Sequence, residues 1–140
     1  MITTPTLFVN ARFLTQEVTG VQRYAFGCCL QLKKIDAAIR FISPANIVQT
    51  EWASRLEAEI TGTHTGWWWE QTDLLRFMRR QAPAMLWNPC NTGPAGYWPQ
   101  MISLHDVAYL DQKTDTRPLF RLAYRFLIPR LLKRACHVFA

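Results

Sequence analysis

Short apolar runs alternate with longer amphipathic stretches along the chain. Leu7-Phe8-Val9-Asn10 is an apolar run with polar flanks, which predicts a buried strand. A loop leads to Thr19-Gly20-Val21-Gln22, where Thr19 as N-cap and Gln22 three residues on form a capping box. Val21, Tyr24, Ala25, Cys28 and Leu32 then recur at helical spacing and predict a one-sided apolar stripe, with Gln22, Arg23 and Lys33 away from it.

Ile39 to Ile42 reads as a second strand ended by Ser43-Pro44, and a helix is expected from about Glu51 to Ile60, stopped by Thr61-Gly62-Thr63. After Gly66, the spacing of Trp67, Gln71, Leu74, Leu75 and Met78 predicts a helix up to Arg79-Arg80. The consecutive Trp67, Trp68 and Trp69 spread over roughly 200° of such a helix, so at least one ring is expected near the surface.

Met85-Leu86-Trp87 reads as a strand running into the turn-rich loop Asn88 to Pro94, and Met101 to Leu104 as another, delivering His105-Asp106. From Arg117 to Ala135 the pattern is helical, and Pro129 is expected to kink or restart it. His137 to Ala140 reads as the opening of a further strand, so the chain is expected to stop in mid-fold.

Strands separated by helices imply βαβ units: an α/β fold with a mostly parallel sheet and helices on both faces. The all-apolar strand runs fit a sheet covered on both sides. A length of 140 residues accommodates one domain.

Charge sharpens this picture. Residues 1–115 carry ten basic and all ten acidic residues, whereas residues 116–140 carry Arg117, Arg121, Arg125, Arg130, Lys133 and Arg134 and no acid, so the net charge of +6 lies entirely there. Such a block attracts anionic partners: lipid headgroups, phosphates or nucleic acid. No apolar run approaches the ~18 residues of a membrane span, and the N-terminus lacks the pattern of a secretory signal. Cys28, Cys29, Cys90 and Cys136 show no C-x-x-C spacing, which points to reduced thiols and a cytoplasmic protein.

In a parallel sheet, the loop reaching Thr19-Gly20, the loop Asn88 to Thr92 and the pair His105-Asp106 all fall at the carboxyl ends of strands, where ligands bind. Thr19-Gly20 opens a helix whose N-terminus favours an anion, although no G-x-G-x-x-G or P-loop pattern is present. An ordinary capped helix start accounts equally for those residues. Likewise His105 and Asp106 are either a chemically active pair or a loop anchor and a turn cap. There is no G-x-S-x-G elbow, and His64, His105 and His137 are scattered, so a metal-independent site is expected.

Several segments together resemble a family. Asn10-Ala11-Arg12-Phe13-Leu14, Thr19 to Ala25, Trp69-Glu70-Gln71, Leu86 to Pro94, Ser103 to Asp111, Tyr124 to Leu127 and Pro129-Arg130-Leu131 are similar, in order, to the N-terminal part of bacterial family 4 glycosyltransferases of mannosyltransferase type. The resemblance implies a GT-B fold of two Rossmann-like domains, with residues 1–140 as the acceptor-side half and the nucleotide-sugar half, with its E-x7-E motif, absent from this sequence. It implies a retaining transfer of a sugar from a nucleotide-sugar to a glycan or lipid-linked acceptor, in cell-surface polysaccharide synthesis, with no cofactor and usually no metal. Thr19 and Gly20 would then approach the donor diphosphate, His105 and Asp106 would stand at the reaction centre, and Asn91, Thr92 and Arg23 would line the acceptor side. The Gly-rich loop of the family is here a single glycine, Gly20. The competing expectation is a stand-alone basic module that binds anionic membrane, or nucleic acid less readily, through residues 117–134; peripheral contact with the inner membrane face is compatible with both.

Overall fold

The computed structural model describes residues 5–81, 83–105 and 118–139; Asp106 lies outside them. The strands are β1 (Thr6–Asn10), β2 (Arg40–Ser43), β3 (Glu59–Ile60), β4 (Ala84–Asn88), β5 (Gln100–Ser103) and β6 (Ala135–Phe139). They form one six-stranded sheet in the order β3-β2-β1-β4-β5-β6, and every pairing is parallel. The fold is therefore α/β and Rossmann-like, with helices flanking the sheet.

Side chains alternate across the sheet and divide the core in two. Val9, Phe41 and Trp87 pack on one face with Ala25, Phe26 and Cys29 of α1 (Gly20–Ile35) and Leu56 of α2 (Thr50–Leu56). Phe8, Ile42 and Leu86 pack on the other with Trp69, Leu74 and Met78. These last three come from a helical run made of α3 (Gly66–Trp68), a π-helical stretch (Trp69–Leu74) and α4 (Leu75–Arg80). The helix α5 (Pro118–Arg134) joins β5 to β6.

Three expectations are corrected. The helix expected from Glu51 to Ile60 ends at Leu56, because Glu57 turns left-handed at φ 53°, and Glu59–Ile60 pairs with β2 as the edge strand β3. The buried face of α1 is Gln22, Ala25, Phe26 and Cys29, one residue on from the expected stripe; Tyr24 is exposed. Phe26 stacks on Trp52 of α2 with ring centroids 4.3 Å apart, which draws the helix round. Helix α5 continues through Pro129 and is not restarted there. Both Arg125 and Pro129 are on its exposed side, where water can satisfy the carbonyl that the missing N–H leaves open. The last strand begins at Ala135 rather than His137.

The tryptophan run divides as helical geometry requires: Trp69 is fully buried and donates from Nε1 to the Thr61 carbonyl at 2.8 Å, whereas Trp68 is exposed. Among the described residues no helix is long and apolar enough to cross a membrane.

Candidate functional site at the carboxyl edge of the sheet

The strand order reverses between β1 and β4: the chain winds outward through β2 and β3, then returns to the other side of β1. The loops after β1 and β4 part there, and the crevice they leave is where open α/β sheets place ligands.

The floor of this crevice is a closed polar network. Glu70 is fully buried in the π-helical stretch, and an extra residue per turn there turns it under the sheet edge together with Trp69. Its Oε2 accepts from Asn10 Nδ2 at 2.7 Å, and its Oε1 pairs with Arg12 Nε at 3.2 Å. The Thr92 hydroxyl accepts from Arg12 Nη2 at 2.9 Å and donates to the Glu70 carboxylate at 3.0 Å. Asn88 Oδ1 accepts from Asn10 at 3.0 Å, while its Nδ2 donates to Gln100 Oε1 at 2.8 Å. One buried carboxylate thus ties the loops after β1 and β4 to the helix beneath, which offsets the cost of burying it. The space left among Asn10, Arg12, Glu70, Cys90 and Thr92 is about 10 Å³, far too small for a ligand. This network supports the site rather than forming it.

Above the floor, the loops after β4 and β5 are joined. Asn91 adopts φ 68°, a left-handed conformation that asparagine tolerates better than most residues. Its Oδ1 accepts from the His105 backbone N–H at 2.6 Å, and its own N–H donates to the Ser103 carbonyl at 3.0 Å. His105 is exposed at the end of β5. Its Nε2 lies 2.6 Å from the Pro89 carbonyl oxygen, and its ring meets Tyr24 edge-on with centroids 4.5 Å apart. Tyr24 is one turn into α1 (Gly20–Ile35), so the imidazole packs against a side chain from the start of that helix.

At that helix start, Gln22 Oε1 accepts from the Thr19 N–H at 2.9 Å and from the Thr19 hydroxyl, while Gln22 Nε2 donates to Gln16 Oε1 at 3.0 Å. The entry into α1 is thereby fixed. A Cβ at Gly20 would meet nothing within 4 Å, so this glycine is not required by packing.

The structure thus brings His105, Asn91 and, through Tyr24, the Gly20 end of α1 to one region. Thr92 is buried beneath it with its hydroxyl engaged. Arg23 is exposed on α1, and among the described residues no hydrogen bond or ion pair ties its side chain to Asn91 or Thr92. Burial pushes the Cys90 thiol up to about 12 and raises Cys29 as well, so neither supplies a thiolate nucleophile. Ser103 is buried and its hydroxyl accepts from Trp87 Nε1 at 3.0 Å. Among the described residues no group of three or more His, Cys, Asp or Glu side chains could hold a metal ion.

Glu70 and Tyr24 were not expected at the site. A lone acid beside a Trp run carries no sign of burial, and Tyr24 reads as a core position until the rotation of α1 is known. No protein-family model, curated protein or solved structure matches the chain.

Proposed function

We propose that this chain is the acceptor-side half of a retaining glycosyltransferase that takes a sugar from a nucleotide-sugar. The observation that carries the reading is the contact between His105 and Tyr24, because it packs an exposed imidazole against a residue one turn into α1 at the carboxyl edge of the sheet. A helix start attracts the donor diphosphate through its free N–H groups and dipole. An imidazole beside it is placed to hydrogen-bond the sugar that leaves that diphosphate. Asn91 and Arg23 would face the acceptor, a glycan or lipid-linked sugar of cell-surface polysaccharide synthesis, while Thr92 holds the loop from below.

In this reading the nucleotide is gripped mainly by a second, donor-binding half. Calorimetry of the 140-residue chain with nucleotide-sugars is therefore expected to show weak binding or none; sub-micromolar affinity would overturn the assignment of this half to the acceptor. Joined to a donor-binding half, the protein is expected to transfer sugar, and His105→Ala to lower turnover by a large factor with the fold intact. Turnover within about twofold of the parent would remove His105 from the reaction centre.

A further inference from the structure

Helix α5 presents a second surface, on the far side from its packing. Ile128 and Leu131 are buried, while Leu122 and Phe126 are exposed by 53% and 62%. At about 100° per residue, Leu122, Phe126, Pro129 and Lys133 lie within about 60° of one another, so they form one strip along the helix. Arg125 flanks this strip on one side, and Arg130 and Arg134 on the other; all three are exposed. The segment 117–134 contains no acid.

The cationic flank opens into a cleft of about 400 Å³ between α5 and the loop after β4, lined by Ala95, Gly96, Arg130, Lys133 and Arg134. A further guanidinium, that of Arg79, reaches to 3.5 Å from where a Cβ on Gly96 would stand. The same loop carries Trp98, which is 67% exposed.

We propose that α5 is a docking face for an anionic phospholipid bilayer. Leu122 and Phe126 enter the boundary between headgroups and acyl chains, Arg125, Arg130 and Arg134 take lipid phosphates on either side, and Lys133 takes one at the end of the strip. Charge complementarity identifies the partner: cations flank both sides of the strip and no acid interrupts them. A polyanion without an apolar layer, such as nucleic acid, would use the cations and leave Leu122 and Phe126 in water. An apolar strip bordered by basic side chains matches instead the layered chemistry of a membrane interface. The inference stands on α5 alone and does not depend on the glycosyl-transfer reading.

The test is co-sedimentation of the 140-residue chain with phosphatidylcholine vesicles, with and without phosphatidylglycerol. Binding is expected only to the anionic vesicles and to weaken as salt rises. Each of R125Q, R130Q and K133Q is expected to lower affinity about fivefold. The double variant Leu122→Ser, Phe126→Ser is expected to lose roughly tenfold with all charges kept. All substituted side chains are exposed, and far-UV circular dichroism verifies that the variants fold. Equal binding to neutral vesicles, or none to anionic ones, would overturn the proposal. So would unchanged affinity of the double variant, or binding of a DNA duplex as tight as that of anionic vesicles at the same salt.

Discussion

The imidazole Nε2 of His105 lies 2.6 Å from the backbone carbonyl oxygen of Pro89. A carbonyl only accepts, so this contact requires a proton on Nε2. In the neutral ring Nδ1 then carries the lone pair. The β4 loop thereby sets the tautomer of a residue that β5 delivers, in the way that a backbone acceptor fixes a histidine for use by another group. Two-dimensional nitrogen–proton NMR of the neutral ring should show the Nε2–H tautomer for His105. An Nδ1–H signal would mean that the Pro89 carbonyl does not orient the ring.

Two glycines in the site region are expected to respond oppositely to alanine. At Gly93 an added Cβ would fall 2.3 Å from Asn88 Oδ1, inside the network that supports the loop. Gly93→Ala should cost about 1–3 kcal/mol, the usual range for overpacking a filled interior. At Gly20 the same methyl meets nothing within 4 Å, so Gly20→Ala should leave stability unchanged or slightly raised. If the donor diphosphate approaches α1 there, the methyl obstructs it, and transfer activity falls without loss of fold. Thermal melts of both variants beside an activity assay separate these effects; destabilisation by Gly20→Ala would show that the glycine serves the fold.

Much of the architecture is legible from pattern because parallel strands are covered on both faces and so read as apolar runs. Leu7 to Asn10, Ile39 to Ile42, Met85 to Trp87 and Met101 to Leu104 all fall on strands or their immediate flanks. Glu59–Ile60 escapes because a two-residue edge strand has too few positions to show a period. The rotation of α1 depends on Phe26 meeting Trp52, a contact between residues far apart in the chain. The π-helical stretch shifts the phase between Trp69 and Leu74, so a search at 3.6 residues per turn places Gln71 inward and overlooks Glu70. The carboxyl-edge location of Gly20, Asn91 and His105 follows from parallel topology alone, whereas their support by Asn10, Arg12 and Glu70 is a product of tertiary packing.

That support makes Glu70 the residue on which the crevice floor depends. Glu70→Ala removes the acceptor of Asn10 Nδ2, the ion partner of Arg12 and the acceptor of the Thr92 hydroxyl together. A buried charge left without its partner costs about 3–5 kcal/mol, and that is the expected loss in urea unfolding. Glu70→Gln keeps the shape but turns an amide N–H toward Asn10 or Arg12, both donors, so about 1–3 kcal/mol is expected. A Glu70→Gln variant as stable as the parent would show that the carboxylate does not hold the two loops together.

A second buried carboxylate, Asp73, gives the protein an acid limit. Its Oδ2 accepts from the backbone N–H groups of Thr63 and His64 at 3.1 and 2.9 Å and meets His64 Nδ1 at 3.0 Å. Burial alone would raise its pKa, but these hydrogen bonds outweigh it and hold the carboxyl below its ordinary 3.8. Gly62, at φ 75°, lets the chain pass so close that a Cβ there would lie 2.2 Å from Asp73 Cγ. Because the folded-state value is lowered, the unfolded chain takes up the proton first as pH falls. The stabilisation is therefore fully present above the unfolded value and is lost as pH drops through the folded one. Asp73→Asn should cost about 1–3 kcal/mol at neutral pH, with the gap from the parent narrowing only below the ordinary carboxylate value. Urea titrations of parent and variant across that acid range measure the gap directly. A gap that stayed constant through it would mean that the ionised carboxylate contributes nothing that the amide does not.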